Sequence, residues 1–152
     1  MGAPSVTHER RVADLRTLGQ LAGHTREVRL ARYETPDVVL ASPTRPRLFV
    51  ADAKSTETSA RAETRARLRS YRSASRSWRR VGFSVRLALC VSIGDTLGWG
   101  ELLANLEPGG VAVSYRRFGP HDELLWVDLG PLLDDVPGGK YRQACVEQAD
   151  CR

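Results

Sequence analysis

Lysine is almost missing from this chain. Of 23 basic residues in 152, only Lys54 and Lys140 are lysine, and every other one is arginine. An arginine does not readily give up its proton or act as a compact point charge, so proton-transfer chemistry by a basic side chain has almost nowhere to reside except at these two positions. Cysteine is scarce as well. Cys90, Cys145 and Cys151 make an odd count with no Cys-x-x-Cys pair, which gives neither a disulfide framework nor a zinc signature, with a Cys145–Cys151 disulfide or metal contact as the alternative. Cys90 lies in an apolar run and reads as a small core residue. No run of about 18 apolar residues exists, so no membrane-spanning helix is expected. Met1 to Ser5 lacks the basic-then-apolar pattern of a secretory signal, and cytoplasmic residence is the expectation. The histidines His8, His24 and His121 are scattered; His8 reads as a surface residue, with a base beside Glu9 as the alternative.

What is present is more pointed. Thr35-Pro36-Asp37-Val38-Val39-Leu40 is followed, after a turn, by Leu48-Phe49-Val50-Ala51-Asp52-Ala53-Lys54. In a strand, alternate side chains share a face, so Asp52 and Lys54 point the same way. If the two runs pair, Asp37 joins them. Two carboxylates and one amine then share a small space, which suits a hard divalent metal and an activated water. Asp52 follows Phe49-Val50-Ala51, and a buried acid is costly without a partner. An ion pair with Lys54 is the plain structural alternative.

Composition and periodicity place these runs in one α/β domain, expected over residues 1–136 with a loose tail over 137–152. Ser5 to Ala22 reads as a helix capped by Ser5 or Thr7 and stopped at Gly23. Strands are expected over Glu27–Arg32, Pro36–Ala41 and Leu48–Lys54, with Ser42 to Arg47 as a hairpin turn. A long helix follows over Ala60–Arg79. Phe83–Ile93 reads as a central strand buried on both faces. Gly94-Asp95-Thr96 then caps a helix over Leu97–Leu106, and Val111–Phe118 and Leu124–Leu129 are the last strands. The expected order is αβββαβαββ, a mixed central sheet flanked by helices, with the long helix as a crossover between parallel strands.

The long helix carries Leu68, Tyr71, Ala74 and Trp78 on one face. Arg61, Arg65, Arg69, Arg72, Arg76 and Arg79 fall on another, at offsets of 4, 8, 11, 15 and 18 residues from the first. They stay within a sector of about 80°. Solvated faces usually mix signs in i,i+4 pairs. A stripe this pure points to a phosphate backbone, and a net charge of +5 agrees with a polyanion partner. Arg61, Arg65, Arg69, Arg72 and Arg76 are the expected nucleic-acid contacts, with packing on an acidic protein surface such as Asp134-Asp135 as the alternative.

Pro36-Asp37 and Asp52-Ala53-Lys54 on consecutive strands resemble the PD-(D/E)xK nuclease superfamily, which has the restriction-endonuclease-like fold. Within it the chain looks most like the small archaeal-type Holliday junction resolvases, through Glu9-Arg10 near the N-terminus, Pro36-Asp37-Val38-Val39 and Asp52-x-Lys54-Ser55. The second acid is Asp52 rather than the commoner Glu, and Glu63 stands nearest to the glutamine that many members carry early in the next helix. The glycine- and serine-rich segment common before the first motif is replaced by Arg32-Tyr33-Glu34-Thr35. The resemblance implies that Glu9 is a third, distal metal ligand beside Asp37 and Asp52. It implies a Mg²⁺-dependent endonuclease, with Mn²⁺ substituting, in which Lys54 positions the attacking water. DNA is the expected substrate and RNA stays open. A catalytically silent nucleic-acid-binding or assembly protein on the same fold is the rival reading. A homodimer is expected, because cutting two strands needs two sites, with Leu97, Trp99 and Trp126 as candidate interface residues.

Overall fold

The computed structural model describes residues 6–30, 35–54 and 61–132. Its described elements are three α-helices and a six-stranded mixed sheet. They run α1 (Val6–Leu21), β1 (Arg26–Glu27), β2 (Val38–Ala41), β3 (Arg47–Ala53), α2 (Arg61–Arg80), β4 (Ser84–Ser92), a 3-10 turn (Ile93–Asp95), α3 (Thr96–Ala104), β5 (Ser114–Arg117) and β6 (Asp122–Leu129). In space the strands lie β1-β2-β3-β4-β6-β5. Only β3 and β4 are parallel, and α2 connects them. Among the described residues no helix is long and apolar enough to cross a membrane.

The alternation of side chains along the strands divides the core in two. Leu48 and Val50 of β3, with Val39 of β2, join Leu68, Tyr71 and Trp78 of α2 and Trp99, Leu102 and Leu103 of α3. Phe49, Ala51 and Ala53 face the other way and pack with Leu40, Cys90, Leu124 and Leu15 of α1. Helix α1 approaches the sheet closely at Gly19, where a Cβ would lie 2.8 Å from Leu40 Cδ1 and 2.9 Å from Phe49 Cδ2. The helix ends at Gly23, whose φ of +96° only glycine adopts without strain.

Several boundaries differ from the sequence reading. Of the strand expected over Glu27–Arg32, the described residues form strand only at Arg26–Glu27, although Leu30 is buried in the core. The central strand is not buried on both faces along its whole length. Ser84 and Arg86 are exposed, because that end of the sheet is uncovered; Arg86 pairs with Asp128 and lies 5.1 Å over the Trp126 ring. Gly94-Asp95-Thr96 is not a side-chain cap: Ile93–Asp95 form a 3-10 turn, and Asp95 makes no capping bond. The strand expected over Val111–Phe118 forms only at Ser114–Arg117. The Ser5 cap, Tyr33 and Glu34, the loop after Lys54, Asp134-Asp135, the tail, Lys140, Cys145 and Cys151 lie outside the described residues.

Candidate active site

The β2–β3 ladder pairs Val38 with Ala51, so the next residues outward, Asp37 and Asp52, face each other where the strands end. They hold each other through the backbone. The Asp37 N–H donates to Asp52 Oδ1 at 2.7 Å, and the Ala53 N–H donates to Asp37 Oδ2 at 2.8 Å. Asp52 shares its face with Leu48 and Val50, which is the face covered by α2. There the Tyr71 hydroxyl donates to Asp52 Oδ2 at 2.9 Å, and Lys54 Nζ reaches the same oxygen at 2.7 Å. Three donors thus compensate a carboxylate that is only 3% exposed. The expected convergence of Asp37, Asp52 and Lys54 is present.

Lys54 is fixed at both ends of its peptide. Its N–H donates to Cys90 O at 3.0 Å, and Arg11 Nη1 donates to its carbonyl at 3.3 Å. Arg11 also grips the buried Asp122 through Nε at 3.1 Å and Nη2 at 2.6 Å, and reaches Ser92 Oγ at 3.0 Å. One guanidinium therefore ties α1 to the ends of β3, β4 and β6. No local pattern announces a contact between residues 111 apart in sequence.

Burial raises the Asp37 pKa, and the neighbouring charge of Asp52 adds to the rise; the Ala53 N–H, His8 and Lys54 oppose it. Burial first, and then the Asp52 charge, push the Tyr71 phenol well above its ordinary value, so it remains a donor across physiological pH. His8 Nε2 stands 3.6 Å from Asp37 Oδ1, with the His8 side chain 38% exposed, so the histidine is at the surface beside the site. Tyr71 reads as pure core from its helical spacing. The signal available was its hydroxyl, which needs a partner when buried.

Glu9 is exposed in the first turn of α1. Among the described residues no three His, Cys, Asp or Glu side chains gather to hold a metal. Glu9 therefore does not complete a ligand set with Asp37 and Asp52 in this conformation. Leu15 and Gly19 turn the inner side of α1 to the sheet face opposite Asp52, and Glu9 points to solvent. A pair of carboxylates is a poor fit to zinc, which takes a closed set of protein ligands. It fits Mg²⁺, which keeps most of its waters and takes one or two carboxylates plus substrate phosphate.

The arginine stripe is divided by the fold. Arg65 and Arg69 are exposed and pair with no described residue. Arg72 is half-buried and bonds the Leu106 carbonyl and Glu107, at 3.5 Å for the latter. Arg79 is buried, donating to Gly130 O at 2.9 Å and lying 3.5 Å from Glu107. A continuous phosphate rail through Arg72 is thus corrected: the stripe borders the buried face of α2, and the turn after α3 brings Glu107 against it. Arg76 is half-buried, and the Arg61 side chain lies outside the described residues. Arg67, exposed one turn before Tyr71, is close enough for the phenol to feel its charge. The expected dimer residues do not form one patch. Trp99 is 3% exposed and Leu97 84% exposed, while Trp126 packs against the core on the other sheet face.

In comparison with known proteins, no protein-family model, curated protein or solved structure matches the chain.

Proposed function

We propose that the chain is a Mg²⁺-dependent endonuclease acting on DNA, with its centre at Asp37, Asp52 and Lys54. The observation that carries this reading is the reciprocal pairing of Asp37 and Asp52 at the end of β2 and β3, with Lys54 on the same carboxylate. Two carboxylates against one ammonium leave a local negative balance, which a phosphate approaches only if a cation is added. Asp37 and Asp52 would hold Mg²⁺, which would supply that charge, polarise a phosphoryl oxygen and lower the pKa of a bound water. Lys54 directs one of its three protons to Asp52 and keeps two for a water or a phosphoryl oxygen. Tyr71 and the Asp37 N–H hold the Asp52 carboxylate in place. Asp37 Oδ1 is the carboxylate oxygen least engaged by the protein, with His8 3.6 Å away.

One observation favours a second reading. Three of the four carboxylate oxygens already accept bonds from the protein, so the cluster also suits a strand-end clasp in a binding protein without chemistry. Cleavage of a panel of duplex, single-stranded, nicked and branched DNA and of RNA, with Mg²⁺, Mn²⁺ or EDTA, separates the two. The nuclease reading expects metal-dependent cleavage of DNA that Asp37→Asn abolishes. Binding with no cleavage of any member of the panel favours the clasp, and cleavage confined to RNA moves the activity to RNA processing.

A further inference from the structure

A cleft separates α2 from α3, apart from the Asp37–Asp52 pair. One wall carries Arg65 and Arg69, and the other Gly98, Glu101, Leu102 and Asn105, around a cavity of about 230 Å³. A second, more open cavity of about 600 Å³ continues from Arg69 and Asn105 past Arg72 to the turn at Pro108. Arg65 and Arg69 are one helical turn apart, and like charges at that spacing repel unless an anion lies between them. Arg72, which lines the second cavity, has a buried Nε that meets no acceptor among the described residues. Glu107 is already committed to Arg72 and Arg79, and Asn105 directs its Nδ2 to the Glu101 carbonyl at 2.8 Å. Three guanidiniums, of Arg65, Arg69 and Arg72, face the two carboxylates of Glu101 and Glu107 along these cavities, which leaves positive charge in excess.

We propose that this cleft seats one phosphate group of a nucleic-acid strand, held between Arg65 and Arg69. The first cavity is smaller than the range of about 300–1,000 Å³ usual for whole small-molecule ligands. A phosphate group with its hydrating waters fits in it. Its continuation into the second cavity leaves a path for the chain on either side. The proposal rests on the nuclease reading only for the identity of the polymer; the seat itself requires no cleavage.

The test is binding in EDTA, which no cleavage can confuse. Fluorescence anisotropy of labelled DNA oligonucleotides is measured for the wild type, for Arg65→Gln/Arg69→Gln and for Arg45→Gln/Arg47→Gln. The last pair removes the same charge from exposed positions in the β2–β3 turn and at the first residue of β3. The cleft variant should lose affinity on the order of tenfold and lower the salt slope by about one for each phosphate it no longer neutralises. The control should lose less. In an NMR titration with inorganic phosphate, the Asn105 side-chain amide and the Gly98 amide should shift in the wild type and not in the cleft variant. Tighter binding of a 5′-phosphorylated than a 5′-hydroxyl strand assigns the seat to a terminal phosphate; equal binding assigns it to an internal diester. Equal loss in cleft and control variants, or no cleft-localised phosphate shifts, overturns the proposal. Loss of binding in the cleft variant beside a wild type that never cleaves overturns the nuclease reading and leaves the seat standing.

Discussion

Asp52 is held by three donors, so its replacement disturbs stability as well as chemistry. Asp52→Asn keeps the shape but leaves the Lys54 ammonium, 12% exposed, without its charge partner. A loss of about 1–3 kcal/mol is expected, read by urea unfolding. A variant as stable as the wild type would mean that Lys54 reaches water unaided. Asp37 behaves in the opposite sense. Its folded pKa is raised, so its contribution to stability is full below the ordinary carboxylate value of 3.8 and is lost as pH rises through the folded value. Asp37→Asn should therefore gain stability relative to the wild type on going from pH 3 to pH 7, while cleavage disappears. A stability difference that does not change with pH would show that Asp37 ionises in the fold at no cost. Gain of stability with loss of activity is the expected mark of a residue kept for chemistry. Tyr71→Phe removes one of the donors to Asp52. It should weaken Mg²⁺ binding measured by calorimetry, whereas a purely core role for Tyr71 would leave that affinity unchanged.

At the scale of elements, α1 is the part whose docking decides the site. Its inner side presses on β2 and β3 at Gly19, and its first turns deliver Arg11 to Lys54 and Asp122. Arg11→Ala leaves the Asp122 carboxylate, 5% exposed, without its main cation, since Arg10 is only a longer contact at 3.4 Å. A loss of about 3–5 kcal/mol is expected. A loss below about 1 kcal/mol in chemical denaturation would mean that Arg10 takes over the pair. Helix α2 has two duties. Its buried side brings Tyr71 to Asp52, and Arg72 and Arg79 anchor it to Glu107 and Gly130. Only Arg65 and Arg69 among the stripe's described side chains stand exposed and unpaired with any described residue, which is why the expected uniform rail becomes a local seat.

For the whole molecule, a net charge of +5 sits mostly on arginine, and those arginines that the fold leaves in water set the attraction for a polyanion. Cutting both strands of a duplex requires two centres, and a homodimer is the simplest way to provide them. Trp99 is buried and offers no surface to such a contact. Of the residues named from the sequence, Leu97 is the one with its side chain in water, at 84% exposure. Light scattering over rising concentration should show a dimer, and Leu97→Gln should weaken it. A monomer throughout, with activity first order in enzyme, would rule out the expected dimer.

The local elements, and the pair of strands that carries Asp37, Asp52 and Lys54, were legible in the order of residues. Helix α2 lies at Arg61–Arg80 against an expected Ala60–Arg79, and β3 at Arg47–Ala53 against Leu48–Lys54. Both follow from apolar periodicity, which acts over a few residues. The alternation that put Asp52 and Lys54 on one side is equally local, and the β2–β3 register then set Asp37 opposite Asp52. The tertiary structure alone decided what surrounds that pair. Tyr71 reaches Asp52 because α2 packs on the same sheet face, and Arg11 reaches Lys54 and Asp122 because α1 crosses the strand ends on the other. It also withdrew Glu9 and Arg72 from the site, one to solvent and one to Glu107. Such contacts join residues far apart in the chain. They arise from which helix covers which face, and no spacing within a single segment encodes that choice.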